Sequence, residues 1–212
     1  MSDESKNARF WDRMARKYAA DPIADMAGYE RTLDVARGYL KATDQVYEFG
    51  CGTGTTALKL APSCARLTAT DISGEMIEIA REKAQVQGCA NAVFEVGTPE
   101  TASCPDGSVD VAMGFNILHL IEARGATYRA IHRLLKPGGL FISKTGCLKE
   151  MNFALRLILP PMQLIGRAPY VAFFNAAELE SEIVNAGFEI VERARHGTRG
   201  KDARIFLVAR KV

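Results

Sequence analysis

Three groups of residues in this 212-residue chain have the types and spacing to do chemistry. Glu48-Phe49-Gly50-Cys51-Gly52-Thr53-Gly54 sets a carboxylate two residues ahead of the first of three glycines at alternate positions. Glycine there lets the backbone turn sharply and lets a ligand approach the main chain where any Cβ would block it. Asp71 stands 21 residues after Gly50. An acid at such a place can accept hydrogen bonds from both hydroxyls of a ribose, or it can cap the helix that follows, although Ser73 is available for capping. Phe115-Asn116-Ile117-Leu118-His119 is the third group. His119 can serve as a general base or orient a substrate, since imidazole titrates near neutrality, or it can simply anchor its loop.

The elements that must position these groups follow from periodicity. Phe10, Trp11, Met14, Ala15 and Tyr18 recur at helical spacing, as do Tyr29, Leu33, Ala36 and Leu40, giving two amphipathic helices on either side of Asp21-Pro22. Short apolar runs at 45–49, 67–70, 92–96, 109–115 and 140–144 read as strands, alternating with helical patterns after 54, at 73–87 and at 121–135. That alternation predicts right-handed crossovers and a parallel sheet covered on both faces. A helix at 176–186 stops at Gly187, and 188–191 and 204–209 close the chain as two strands. Their short basic link, with Arg195, His196, Arg199 and Lys201, requires them to be antiparallel and gives His196 the chance to meet an anion. The glycine turn therefore joins the first strand to a helix, Asp71 ends the second strand, and His119 follows the fourth.

The ligand class follows from charge. A dinucleotide fingerprint is G-x-G-x-x-G with a diphosphate on the helix N-terminus, whereas here G-x-G-x-G is preceded by Glu48. A carboxylate so close repels a diphosphate and suits a ligand bearing an ammonium and a sulfonium, which favours S-adenosylmethionine over NAD and a methyltransferase over an oxidoreductase. The motifs E-F-G-C-G-T-G (48–54), T-D-I-S (70–73), S-V-D-V-A (108–112) and L-L-K-P-G-G-L (134–140) resemble the class I S-adenosylmethionine-dependent methyltransferases, especially the small-molecule group that includes the ubiquinone and menaquinone methyltransferases. The resemblance covers about residues 10–144.

It implies that Glu48, Gly50, Cys51 and Gly52 surround the methionine portion of the cofactor, that Asp71 holds the ribose, and that Ile72 and Met76 flank the adenine. Gly97, Thr98 and Pro99 stand where the family commonly has an acid for the adenine amino group. Thr98 keeps an acceptor without the charge, and Pro99 removes a main-chain donor. Asn116 joins the cofactor set. Tyr18, in Ala15-Arg16-Lys17-Tyr18, resembles a tyrosine that closes over the cofactor and equally suits a core position on an amphipathic helix. His132 reads as structural, and Asp110 resembles the acid that begins the fourth strand.

Composition narrows the partners. With 27 Lys and Arg against 25 Asp and Glu, the formal charge of +2 supplies no field for gathering nucleic acid. Five widely spaced cysteines, without a C-x-x-C pair, read as reduced thiols rather than a metal site. The polar start, residues 1–7, has no apolar h-region, so a cytoplasmic location is expected. One stretch is out of keeping: 151–174 holds 16 apolar residues in 24, broken by Pro160, Pro161, Gly166 and Pro169. It is expected to be a lid or apolar wall for the acceptor, resting on a membrane surface through Arg156 and Arg167, or else a helix pair packed on the sheet or on a second subunit.

The expectation is a single α/β domain over 1–212: a Rossmann-like, seven-stranded, mostly parallel sheet with an antiparallel last strand and helices on both faces. It divides into N-terminal helices (8–42), a cofactor-binding core (45–145), an apolar insertion after strand five serving as acceptor lid or interface (149–175), and a closing helix and strands (176–212). The expected function is in-line methyl transfer from S-adenosylmethionine to a small apolar or amphipathic acceptor, with no metal, His119 as the candidate catalytic residue, and homo-oligomerisation open. The alternatives are phospholipid N-methylation at a membrane surface and a non-catalytic module that binds the cofactor.

Overall fold

Parallel strands buried on both faces should be apolar nearly throughout, and Val46, Tyr47 and Phe49 of β1 (Gln45–Phe49) are all buried, leaving Glu48 as the exception that needs explaining. In the computed structural model, which describes residues 3–151, 153–164, 166–198 and 202–212, β1 lies beside β2 (Arg66–Asp71) and β4 (Val109–Phe115). With β3 (Ala92–Val96), β5 (Leu135–Gly146), β6 (Phe188–Ala194) and β7 (Arg204–Lys211) they form one seven-stranded sheet in the order β3-β2-β1-β4-β5-β7-β6. β7 runs antiparallel to both of its neighbours, as the short link before it requires. The winding direction reverses between β1 and β4, and a crevice opens there at the carboxyl ends of the strands.

The sheet has two apolar faces. One packs Val46, Met113 and Ile142 against α2 (Met26–Gly38), α3 (Thr55–Leu60) and α4 (Gly74–Val86); the other packs Tyr47, Phe49 and Phe141 against α5 (Arg124–Leu134) and α7 (Ala176–Asn185). α1 (Asp3–Ala20) lies on α4, with Trp11 and Ala15 against Met76 and Ile79. Asp110 is structural as expected, accepting from the Lys136 amine at 2.7 Å and the Gln45 N–H at 2.8 Å. The His132 ring meets Phe188 edge-on, also a packing role.

Two elements differ from expectation. β5 begins at Leu135 rather than Leu140, because Leu135 pairs with Val109 and Leu140 with Val111, so that 136–139 loop out around a left-handed Gly138. α6 (Leu155–Leu164) runs through Pro160 and Pro161 instead of breaking there. Proline forfeits its own N–H bond to the preceding turn, so this helix is held by few main-chain bonds. Among the described residues, no helix is long and apolar enough to cross a membrane. Arg199, Lys201 and the side chain of Arg156 lie outside the described residues.

Candidate functional site

The glycine turn uses each glycine for a different reason. Gly50, Gly52 and Gly54 all have positive φ, between 54° and 73°, where side chains with a Cβ are strained. A Cβ on Gly50 would overlap Ile117, and one on Gly54 would come within 2.7 Å of Ala80 Cβ and 2.8 Å of the Phe94 ring. Those two glycines are needed for packing. A Cβ on Gly52 would meet only Tyr18, at 3.7 Å, so packing does not require glycine here and that side of the turn is open.

Asp71 locks this turn. Its Oδ2 accepts the Gly52 N–H at 2.9 Å and its Oδ1 accepts the Ser73 N–H at 2.9 Å, each oxygen keeping a further lone pair for a hydroxyl. Capping falls to Ser73, whose hydroxyl accepts the Met76 N–H and donates to Asp12 at 2.6 Å. Burial raises the Asp71 pKa against the lowering effect of those two N–H groups.

Glu48 is 2% exposed, and its Oε2 has no hydrogen-bond partner. Burial, and then the charge of Asp71, push its carboxyl up to about 8. A buried acceptor left unpaired costs about 1–3 kcal/mol, a cost that Glu48 carries in the folded chain. Tyr18, half exposed, stands over Gly52 and turns its edge to Trp11 at 6.2 Å. Its phenol is raised by burial and by the charge of Asp71, so it belongs to this crevice rather than to the core.

A groove of about 280 Å³ is lined by Ile72 just after β2, by Val96, Gly97, Thr98 and Thr101 at and after the end of β3, and by Ser5 and Ala8 of α1. Three residues of the expected cofactor set lie elsewhere. Met76 is 2% exposed in the cluster beneath α1, because its position on α4 turns it toward Trp11 and Ala15. Pro99 is buried at the start of a short 3-10 turn. The Cys51 thiol is in the core, raised well above its ordinary value by burial, so only its main chain belongs to the turn.

At the other end of the crevice, Asn116 is the one non-glycine residue with positive φ, 55°, among the described residues. Its N–H donates to the Lys144 carbonyl at 2.6 Å, and it lines a smaller cavity of about 70 Å³ with Tyr29, Thr32, Thr56, Phe115 and Lys144. His119 is on the opposite face of the sheet, with Nδ1 2.9 Å from Thr145 Oγ1. Its carbonyl accepts the Ala172 N–H at 2.8 Å, tying the loop to the segment after α6, and burial pushes the imidazole down to about 4. Of its alternatives, this is the geometry of an anchor; a neutral imidazole so hard to protonate is a weak base. His196 does not face an open anion site either: it is 3% exposed, stacked on Phe206 at 4.6 Å and 3.0 Å from Thr32 Oγ1.

Sequence reasoning missed Asp12, Tyr29, Thr32 and Lys144. Only Lys144 left a signal, as a lone cation in the apolar run Leu140-Phe141-Ile142-Ser143-Lys144.

Residues 46–139 match a family described as a methyltransferase domain. An uncharacterised methyltransferase of Bacillus subtilis, YcgJ, is 32% identical over 116 residues, 54% of this chain and 46% of the relative. The ubiquinone/menaquinone biosynthesis C-methyltransferase of Geotalea daltonii is 32% identical over 133 residues, 60% of this chain and 50% of the relative. The chain thus spans half or less of the length of these relatives. The solved magnesium protoporphyrin IX methyltransferase of Synechocystis PCC 6803, with bound S-adenosylhomocysteine, superposes with a TM-score of 0.74 over 100% of both chains at 20% identity, a likeness of fold. The orphaned Glu48 oxygen and the open side of Gly52 fit an aminoacyl ligand at the head of the sheet. The matched segment and the sheet order give residues 46–139 the likeness of a methyltransferase domain, and the chain as a whole shares the fold of the superposed methyltransferase.

Proposed function

We propose that this protein transfers the methyl group of S-adenosylmethionine to a small apolar or amphipathic acceptor. The observation that carries this reading is the unpaired Glu48 oxygen at the floor of the glycine turn. Bound there, the cofactor would supply an already activated methyl group, its S–CH3 bond breaking as an acceptor nucleophile takes the methyl in line and S-adenosylhomocysteine leaves as the thioether. The chain's task is to hold and align. Glu48 takes the ammonium, Asp71 accepts from the ribose hydroxyls, Gly52 leaves room for the main chain to be approached, and Thr98 and Ile72 border the base. Tyr18 covers the turn and excludes water. His119 keeps the loop after β4 in place and takes no proton.

Calorimetric titration with S-adenosylmethionine and S-adenosylhomocysteine tests the cofactor half. Binding weakened at least tenfold by Asp71→Ala is expected; no binding, or binding untouched by the substitution, overturns it. Turnover of methyl-labelled cofactor in a cell extract tests the transfer, and its absence favours a binding module without catalysis. A second reading, an acceptor at a membrane surface, draws on the exposed Phe153, Leu157 and Ile158 in and beside α6. Flotation with anionic liposomes decides it, since a protein that stays in solution rules out a lipid acceptor.

A further inference from the structure

Lys144 is 6% exposed, yet its amine reaches no carboxylate within 4.0 Å among the described residues. Its one hydrogen-bond partner is Thr32 Oγ1, at 2.7 Å. That hydroxyl is saturated: it donates to the Gly28 carbonyl at 2.8 Å and accepts from both Lys144 and His196 Nδ1. Two N–H donors of a buried ammonium are thus left over, and burying a charge without a partner is costly.

The neighbouring charges do not supply one. Arg204 pairs with Asp202 at 3.0 Å and lies 3.9 Å from Asp25. Asp25 already accepts the N–H of Gly28 and both the N–H and the hydroxyl of Thr198. Burial, and then the charge of Arg204, lower the Lys144 pKa against the weaker raising effect of Asp202 and Asp25.

The amine lines the cavity of about 70 Å³ already described, together with Phe115, Asn116, Leu33 and two further charges, the Arg204 guanidinium and the Asp25 carboxylate, which Thr198 and Gly28 already occupy as donors. A water needs roughly 10–15 Å³ of such space, so there is room for a carboxylate on a short stem. Thr56, in the first turn after the glycine motif, borders the same cavity. Glu48 and Lys144 lie on one face of the sheet, on the strands flanking β4, with Glu48 beside Met113 and Lys144 beside Phe115. Strand spacing puts their Cα atoms about 12 Å apart. A carboxyl lacking a cation and an amine lacking an anion thus stand on one face of the sheet, on either side of β4.

We infer that this cavity seats a carboxylate of the methyl acceptor, with Lys144 as its ion partner and Phe115 and Leu33 as the apolar walls beside it. The inference rests on the methyltransferase reading for the word acceptor, and the subsite itself can be read without the cofactor. The test titrates 3-phenylpropanoate and its neutral amide into the full chain, with and without S-adenosylhomocysteine, following heat and the ¹³Cε signal of Lys144. The acid is expected to bind at least about tenfold more tightly than the amide and to move the Lys144 signal. Lys144→Gln should bring the acid down to the amide, with the affinity for S-adenosylhomocysteine unchanged, and Lys144→Arg should restore part of the preference.

Equal binding of acid and amide, no binding of either, or a preference that survives Lys144→Gln overturns the inference. Should Lys144→Gln fail to fold, an unmoved Lys144 signal in the unaltered protein overturns it as well. Loss of S-adenosylhomocysteine binding alone, with the acid preference intact, would strike the cofactor reading and leave the subsite standing.

Discussion

The two ends of the crevice are built differently. The end proposed for the cofactor is built mostly from main chain: a turn forced by three left-handed glycines and fastened through the Gly52 N–H to Asp71. At the end proposed for the acceptor, side chains from Thr32, Asn116, Lys144 and Arg204 converge from α2, the loop after β4, β5 and β7. A site made from backbone keeps its geometry when its side chains change, and a site made from side chains changes specificity with each of them. The largest expected effect breaks the first kind of site. Gly54→Ala places a methyl against Ala80 and Phe94 at positive φ and should cost about 3 kcal/mol of stability in urea unfolding. Gly138→Ala has the same φ, 73°, with open space around it, and should cost only about 1–2 kcal/mol. Equal losses would mean that strain alone, and not packing, requires glycine in the motif.

Glu48→Gln comes next and separates charge from shape. Removing the carboxylate should weaken S-adenosylhomocysteine by about 100-fold, the value of a buried charge-assisted hydrogen bond. The pH dependence has a definite sign. With its carboxyl at about 8, Glu48 is largely protonated at neutral pH in the free protein and must lose that proton to pair with an ammonium. Binding should therefore release a proton at pH 7, seen by calorimetry in buffers of different ionisation heat, and should tighten as pH rises toward 8. Without ligand, the folded chain binds the proton more tightly than the unfolded one, so Glu48's contribution to stability falls as pH rises from about 4.5 to about 8. Both effects should vanish in Glu48→Gln.

The backbone of the glycine turn was legible in the sequence for the reason just given: main-chain geometry is written as spacing. Three glycines at alternate positions, an acid after the next strand and a capping serine are local signals, and the structure brings Glu48, Gly52, Asp71 and Tyr18 together around them. Met76 misled because a residue one turn into α4 can face the groove or α1, and only the packing of Trp11 decides. The acceptor end was not legible. Thr32 and Lys144 are 112 positions apart and meet only because the end of β5 lies under α2. Pro160 and Pro161 marked a break in the sequence where the chain continues as helix.

Asp71→Asn tests how far backbone and ligand share one group. An amide cannot accept at both ends, so one of the Gly52 and Ser73 N–H groups would lose its acceptor, for about 1–2 kcal/mol of stability. If the turn loosens as a unit, cofactor affinity should fall by about tenfold; stability lost with affinity kept would separate the lock from the site. His119 should show less. Its imidazole, with a value of about 4, should remain neutral in a proton NMR titration until the solution becomes acid. An inflection near neutrality would return it to the catalytic candidates.

The smallest effect concerns the apolar insertion. Leu157 is 68% exposed on α6, so Leu157→Ser removes little buried area and should change stability by less than about 0.5 kcal/mol. Because a solvent-facing side chain leaves nothing uncovered when it is shortened, that small cost should not vary with protein concentration. A larger loss that grows as the protein is concentrated would mean the apolar face is covered by a second copy, and specificity at the acceptor end would then depend on assembly as well as on Lys144.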